Sequence, residues 1–173
     1  AIYDAGYGWN GITAVNENPS GAESNKMYAD NIEYGNIVSK EQFGATIEAF
    51  TYPDQFADLD GTAEIAPGVR ISQQKRGLFG FSYRTKIGND VDGEDYGYIL
   101  HLVYGAKASP SQKNRQTINE NPEAGSFSWE VTTTPVNVTG KKPTAHLTIN
   151  SLKVDAAKIA RSEERFSRNA ETD

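Results

Sequence analysis

The sequence has no cysteine and no long hydrophobic run. No stretch approaches the ~20 consecutive apolar residues that a membrane-spanning helix requires, so no membrane span is expected. Without cysteine the fold cannot depend on disulfide bonds, and 173 residues are enough to bury a core without them. These absences argue against membrane-spanning, collagen-like and disulfide-scaffold proteins. A chain of this length predicts a single domain covering residues 1–173.

An excess of positive charge is also lacking. The chain has 17 Lys and Arg against 23 Asp and Glu, which gives a net charge of −6. Proteins that bind DNA or RNA by neutralising phosphates need a basic surface, so ordinary nucleic-acid binding is not expected. The chain begins at Ala1 and its one methionine is Met27. We therefore expect that an initiator methionine or an N-terminal segment has been removed.

Leu and Met together number only 7, whereas Val, Ile and Thr together number 34. The β-branched side chains fit a pleated sheet and lose rotamer freedom in a helix, so the composition predicts a mainly β protein. Alternating apolar and polar residues support this prediction along most of the chain. The predicted strands cover residues 44–52, 63–71 with a break at Pro67-Gly68, 78–87, 96–106 and 126–138, a last strand containing Ala145, Leu147 and Ile149, and a possible strand near 27–32.

Fewer segments predict helices or irregular structure. Residues 54–60 form a short helix candidate, with Pro53 at its start and Gly61 just beyond its end. A second helix is predicted from Val154 to about Arg165, within a C-terminal helix and tail of residues 154–173. Residues 1–25 are predicted to form an N-terminal arm or loop, and the polar segment 107–123 a long loop.

Motifs for catalysis or cofactor binding are missing as well. The two histidines, His101 and His146, each lie within a predicted strand, and no metal-ligand spacing surrounds them. Both are therefore interpreted as structural residues. No phosphate-binding glycine loop and no nucleophile-elbow motif occurs. We accordingly expect no catalytic residues, no cofactor and no bound metal.

The turn at residues 89–95 contains four acidic residues. It differs from a calcium-binding loop, because counting from Asp90 places glycine at the fourth position and a histidine at the twelfth. A hairpin tip is the simplest interpretation, and contact with a neighbouring subunit is the alternative. The candidate subunit-contact residues are Asp90, Asp92, Glu94, Asp95 and, from the long loop, Arg115.

Two other functions remain open from the residues alone. Glu48 and Glu130 lie on alternating strands, and a pair of carboxylates on a β-sandwich could hydrolyse a glycosidic bond. Alternatively, Trp9, Trp129 and surface tyrosines could form a carbohydrate-binding module.

Six segments of the sequence, in order, resemble the major tail protein of tailed bacteriophages. Three of their runs are distinctive in combination: YADN, EAFTYPDQF and SFSWEVTTTPV. The similarity covers residues 16–61, 63–74, 79–90, 93–111, 126–136 and 143–160.

The resemblance implies an antiparallel β-sandwich or barrel-like fold with one or two short flanking helices and projecting loops or arms. It also implies a structural virion protein that forms hexameric rings, stacked as a tail tube through which viral DNA passes without specific binding. Tape measure, tail terminator and baseplate proteins would be its partners. Its location would be the virion tail, after assembly in the host cytoplasm. An acidic chain suits such a conduit, since basic groups would retain the phosphates.

Overall fold

The computed structural model describes residues 6–91, 93–113 and 125–155. The predicted C-terminal helix from Val154 lies almost entirely outside these residues, as do most of the predicted loop 107–123 and the first part of the N-terminal arm. Within the described part, no helix is long and apolar enough to cross a membrane.

Antiparallel strands make up most of the described chain, which confirms the predicted fold class. The elements in chain order are β1 (Ile12–Glu17), β2 (Ser24–Ala29), β3 (Ile32–Val38), β4 (Gly44–Ala49), α1 (Asp54–Leu59), β5 (Ala63–Ala66), β6 (Val69–Ile71), β7 (Phe79–Asn89), β8 (Gly93–Ala108), β9 (Phe127–Thr133) and β10 (His146–Asn150).

Six strands form one sheet, which curls into a half-barrel. Its order is β1-β4-β9-β8-β10, and β7 pairs with β8 as a long hairpin. Strand β8 contacts β10 through its middle and β9 only through its last three residues. Strands β2 and β3 form a separate hairpin, and so do β5 and β6.

A β-bulge in β8 separates these two pairings. Gly105 has a positive φ of 58°, and the bulge falls in the β7–β8 register between the pairs of Val103 and Ala106. A side chain at Gly105 would meet the backbone oxygen of Thr134 at 2.6 Å. Only glycine adopts this conformation readily while another backbone approaches so closely. Gly105 thus allows one long strand to bend from β10 to β9.

The core lies on one face of the curled sheet, as the alternation predicts. In β9, Trp129 and Val131 are buried while Ser128 and Glu130 are exposed. Ile47 of the neighbouring strand β4 lies on the same buried face. Each such side chain removes its apolar area from water, and together they supply the main stabilisation of the sheet.

Helix α1 covers one end of this core. Pro53 precedes its first turn in an extended conformation, and Gly61 follows it with a φ of 82°. These residues begin and end the helix as the sequence predicts. Phe56 on its buried side packs against Trp129 at 5.2 Å and Phe79 at 5.5 Å between ring centroids.

Two predictions were wrong in detail. Residues 12–17, predicted as part of an N-terminal arm or loop, form β1 and pair with β4 in the main sheet. The possible strand at 27–32 is interrupted by Asp30 and Asn31, which both have positive φ and reverse the chain between β2 and β3. Such residues favour tight hairpin turns. The last predicted strand is present as β10, and within it Leu147 is 45% exposed. His146 instead turns towards the core and packs against Phe43.

Candidate functional site

The β2–β3 hairpin (residues 24–38) is the most exposed part of the described fold. It makes no extensive contact with any other strand or helix that the structure describes. Several large apolar side chains nevertheless point into solvent: Tyr34 is 78% exposed, Tyr28 67% and Ile32 62%. Met27, Ile37 and Val38 add to this apolar surface. Several large exposed apolar side chains on one element are typical of a protein–protein contact.

The acidic tip of the β7–β8 hairpin was the site predicted for subunit contacts. Asp90 is exposed there, and the neighbouring Val91 is 88% exposed. The Asn89 side chain accepts a hydrogen bond from the Val91 backbone N–H at 3.0 Å, which forms a tight turn. Asp92 and Arg115 lie outside the described residues. Glu94 and Asp95 lie near the start of β8, just after the turn. The prediction of contacts by these residues therefore stays a prediction.

A polar cluster on the core-facing side of the sheet is the second candidate site. We define the histidine cluster as Glu17 of β1, Tyr83 and Thr85 of β7, His101 of β8 and His146 of β10. Sheet pairing aligns His101 with Tyr83 on one side and places His146 opposite Val103 on the other. The curl brings Glu17, from the far edge of the sheet, to the same place.

Every member of the histidine cluster makes a hydrogen bond to another member, in two sets that approach each other at Glu17 and His101. Nδ1 of His101 and Nε2 of His146 are 3.2 Å apart. The other ring nitrogen of His101, Nε2, lies 3.0 Å from the Thr85 hydroxyl. The Tyr83 hydroxyl donates to Glu17 Oε1 at 2.5 Å, and the same oxygen lies 3.6 Å from His101 Nδ1.

Aromatic rings fix the orientation of both imidazoles. The Tyr83 ring stacks on His101 with centroids 4.5 Å apart and planes 5° apart. Phe43 packs against His146 with centroids 4.5 Å apart. The two imidazole planes are within 10° of each other. The ligand-type atoms of the cluster are therefore held in a defined geometry.

The environment of the cluster shifts two pKa values. Burial, together with the hydrogen bond to Glu17, raises the pKa of Tyr83 well above its usual value. Burial lowers the pKa of His146, and this effect exceeds the opposing attraction of the Glu17 carboxylate. Tyr83 therefore stays a hydrogen-bond donor at neutral pH, and His146 stays uncharged.

The sequence predicts both histidines as structural residues, and it does not indicate that they meet. His101 and His146 are 45 residues apart and belong to strands whose pairing the alternation cannot specify. Glu17 is still further away in sequence, in a segment predicted as an arm. Among the described residues, Glu17, His101 and His146 form a group whose ligand atoms all lie within 4.8 Å of one another.

Asp60 is a buried carboxylate at the end of α1. It is only 5% exposed and accepts hydrogen bonds from Arg76 Nη1 and Lys113 Nζ, each at 2.6 Å. Burial by itself raises the pKa of Asp60, but the hydrogen bonds from Lys113 and Arg76 outweigh it and lower the pKa. Among the residues that the structure describes, the indole N–H of Trp129 has no hydrogen-bond partner. The ion pairs attach the segments before β7 and after β8 to the helix.

The residues of the two alternative functions lie on opposite faces of the sheet. Glu48 and Glu130 share the face away from the core, where Glu48 Oε1 accepts a 3.4 Å hydrogen bond from Asn16. Trp129, in contrast, is 0% exposed. Trp9 is half-buried against it and donates its indole N–H to the Thr51 carbonyl oxygen at 2.7 Å. The prediction that these tryptophans form a carbohydrate-binding surface was therefore wrong, because both rings pack into the core.

The positively charged face of β7 is the face that points away from the core. Arg84 and Lys86 point away from the core-facing residues Phe81 and Tyr83. The Arg84 guanidinium lies 5.1 Å from the centroid of the Tyr98 ring. These cations are therefore on the outer face of the half-barrel.

Comparisons with known proteins found no relative of this chain: no protein-family model matches it, no curated protein matches it and no solved structure matches it.

Proposed function

We propose that this protein is a structural subunit that assembles with copies of itself into hexameric rings, stacked as the tail tube of a bacteriophage. Viral DNA would pass through the lumen of that tube, and the subunit itself would carry out no catalysis. The proposal rests on the sequence resemblance described above and on one structural observation: the apolar surface of the β2–β3 hairpin has no partner within the described chain.

An isolated two-stranded hairpin is marginally stable in water, so this one requires stabilisation from elsewhere. Exposed apolar side chains stand on both faces, because Met27 and Tyr28 are successive residues of β2 and side chains alternate between the two faces of a strand. A hairpin that is apolar on both sides is suited to insertion between two neighbours. In a stack of identical rings, the neighbours would be other copies of this chain.

The edges of the sheet support the same proposal. Within the described residues, β1 pairs only with β4, and β7 pairs only with β8. Each therefore has one edge without a strand partner, and unprotected edges are a risk for a monomer. A contact between one edge and a different surface of the next copy is heterologous, and repetition of such a contact closes a ring.

Electron microscopy and sedimentation velocity of the purified protein test this proposal. We expect rings with about six-fold symmetry or hollow tubes at high concentration, and monomers on dilution. A strictly monomeric protein at the highest attainable concentration would contradict self-assembly.

A matched pair of hairpin variants locates the contact. Tyr34→Ser removes an aromatic ring that is already 78% exposed in the single chain, so we expect normal folding but loss of assembly. Tyr34→Phe keeps the ring and should assemble like the unmodified protein. Circular dichroism and thermal unfolding of the dilute proteins provide the folding control. Equal assembly of both variants would show that this hairpin face is not the contact.

A further inference from the structure

We propose that Glu17, His101 and His146 form a binding site for a divalent transition-metal ion such as Zn²⁺. This inference does not depend on the proposed tail-tube function, because all three residues belong to one chain and the site can be tested in the dilute monomer.

The distances between the ligand atoms match those of a metal site. Zinc bound by imidazole nitrogen and carboxylate oxygen at ~2.0–2.2 Å in a tetrahedron separates its ligand atoms by about 3.3–3.5 Å. The observed separations are 3.2 Å from His101 Nδ1 to His146 Nε2 and 3.6 Å from His101 Nδ1 to Glu17 Oε1. The remaining pair, Glu17 to His146, lies within 4.8 Å. The Glu17 side chain is 40% exposed, so its carboxylate has room to rotate, and ion binding would require it to move closer to His146.

The groups around the ligands orient them as the outer partners of metal sites do. A metal-binding histidine usually donates its second ring N–H to an oxygen, which fixes its tautomer. Thr85 Oγ1 lies 3.0 Å from His101 Nε2 and can accept that hydrogen bond. The Nδ1 atom of His101 then carries a free lone pair directed towards His146. The Tyr83 hydroxyl orients the second type of ligand, because it donates a hydrogen bond to the Glu17 carboxylate.

The donor set favours zinc and its neighbours over the common hard cations. Two imidazole nitrogens suit Zn²⁺, Co²⁺, Ni²⁺ and Cu²⁺, whereas Ca²⁺ and Mg²⁺ prefer oxygen ligands throughout. One carboxylate and two neutral imidazoles leave a fourth coordination position for water. Because Glu17 is partly exposed, an ion can reach the cluster from solvent.

A pure hydrogen-bond network is the competing explanation, and metal titration separates the two. The experiment uses the full chain without a histidine tag, titrated with Zn²⁺ in an isothermal calorimeter at neutral pH. We expect saturable binding of one ion per chain and a raised melting temperature. With Co²⁺ as a second probe, visible d–d absorption should report a four-coordinate nitrogen- and oxygen-ligated ion. Absence of saturable one-to-one binding by the unmodified chain would overturn the proposal.

Variants assign the site to these residues. His146→Gln and Glu17→Gln should each weaken Zn²⁺ binding by about 100-fold or more, because each removes a direct ligand. Thr85→Val removes only the outer partner of His101 and should weaken binding by ~10–100-fold. Glu48→Gln is the matched control, since that carboxylate lies on the opposite face of the sheet and should leave binding unchanged.

Each outcome of the variant series counts for or against the proposal. If His146→Gln and Glu17→Gln bind Zn²⁺ as tightly as the unmodified chain, the assignment is refuted. Near-ultraviolet circular dichroism checks that each variant is folded. Should His146→Gln fail to fold, Glu17→Gln decides alone, because its partly exposed side chain can be replaced without opening the core.

Discussion

Replacing Asp60 with asparagine should destabilise the fold strongly, although the side-chain volume hardly changes. The carboxylate is 5% exposed and holds two cations, Arg76 and Lys113, each at 2.6 Å. Removal of one partner from a buried ion pair costs ~3–5 kcal/mol, because the remaining charge is left uncompensated. Here the Arg76 and Lys113 side chains are 22% and 27% exposed and can regain some hydration. We therefore expect the lower end of the range, about 3 kcal/mol.

The assay is chemical denaturation at neutral pH, with thermal unfolding as a second measurement. A loss of about 3 kcal/mol corresponds to a melting temperature lowered by roughly 6–12 °C in a domain of this size. Asp58→Asn is the matched control, since Asp58 is two residues earlier and pairs with Arg70 at the surface, where its side chain is 62% exposed. Exposed pairs contribute ~0–1 kcal/mol, so this variant should be nearly neutral. Equal effects of the two substitutions would refute the argument from burial.

The same carboxylate also predicts how stability depends on pH. The folded state lowers the pKa of Asp60 below its ordinary value of 3.8. The contribution of Asp60 to the free energy of unfolding is therefore complete above that ordinary pKa. This contribution is lost as the pH falls through the lower pKa of the folded state. We expect Asp60→Asn to show a smaller loss of unfolding free energy than the unmodified chain when the pH is lowered from 5 to 2. Parallel pH profiles for the two proteins would contradict this assignment.

Two further substitutions test the bend of β8 and the helix that covers the core. Gly105→Ala places a side chain at a positive φ and 2.6 Å from the Thr134 oxygen. Chemical denaturation should therefore show a free energy of unfolding lowered by about 1–3 kcal/mol. An unchanged free energy of unfolding would show that the bulge tolerates alanine. Phe56→Ala empties the space between α1 and Trp129 and should cost ~3–5 kcal/mol in the same assay, whereas a loss below about 1 kcal/mol would mean that the helix is not needed to close the core.

The alternation of apolar and polar residues was enough to predict most strands. In a sheet with one buried face, every second side chain of a strand is removed from water on folding. Residues 127–133 illustrate this, since every second side chain from Phe127 onwards is partly or fully buried. The helix at α1 could also be predicted, because Pro53 and Gly61 mark its ends by their restricted and permissive backbones. Both signals are local, and local signals do not depend on how the sheet curls.

The candidate site could not be predicted in this way. His101 and His146 meet because β8 pairs with β10, and Glu17 joins them only because the sheet curls until β1 approaches β7. The alternation within a single strand specifies neither the order in which strands pair nor the curl of the sheet. The Asp30-Asn31 turn was missed for a different reason: the apolar residues on either side continue the strand pattern across it.

The position of Glu17 connects the two candidate sites. It is the last residue of β1, three residues before Ser20. Ser20 and Gln42 exchange backbone hydrogen bonds of 2.9 and 2.8 Å, and this pair forms the base of the β2–β3 hairpin. The bond from Tyr83 to Glu17 ties this base to β7, at the other edge of the sheet. A ligand or ion that holds Glu17 therefore also restrains the base of the hairpin. Loss of Zn²⁺ binding and loss of assembly remain separable, since Tyr34→Ser changes only the hairpin and Thr85→Val only the cluster.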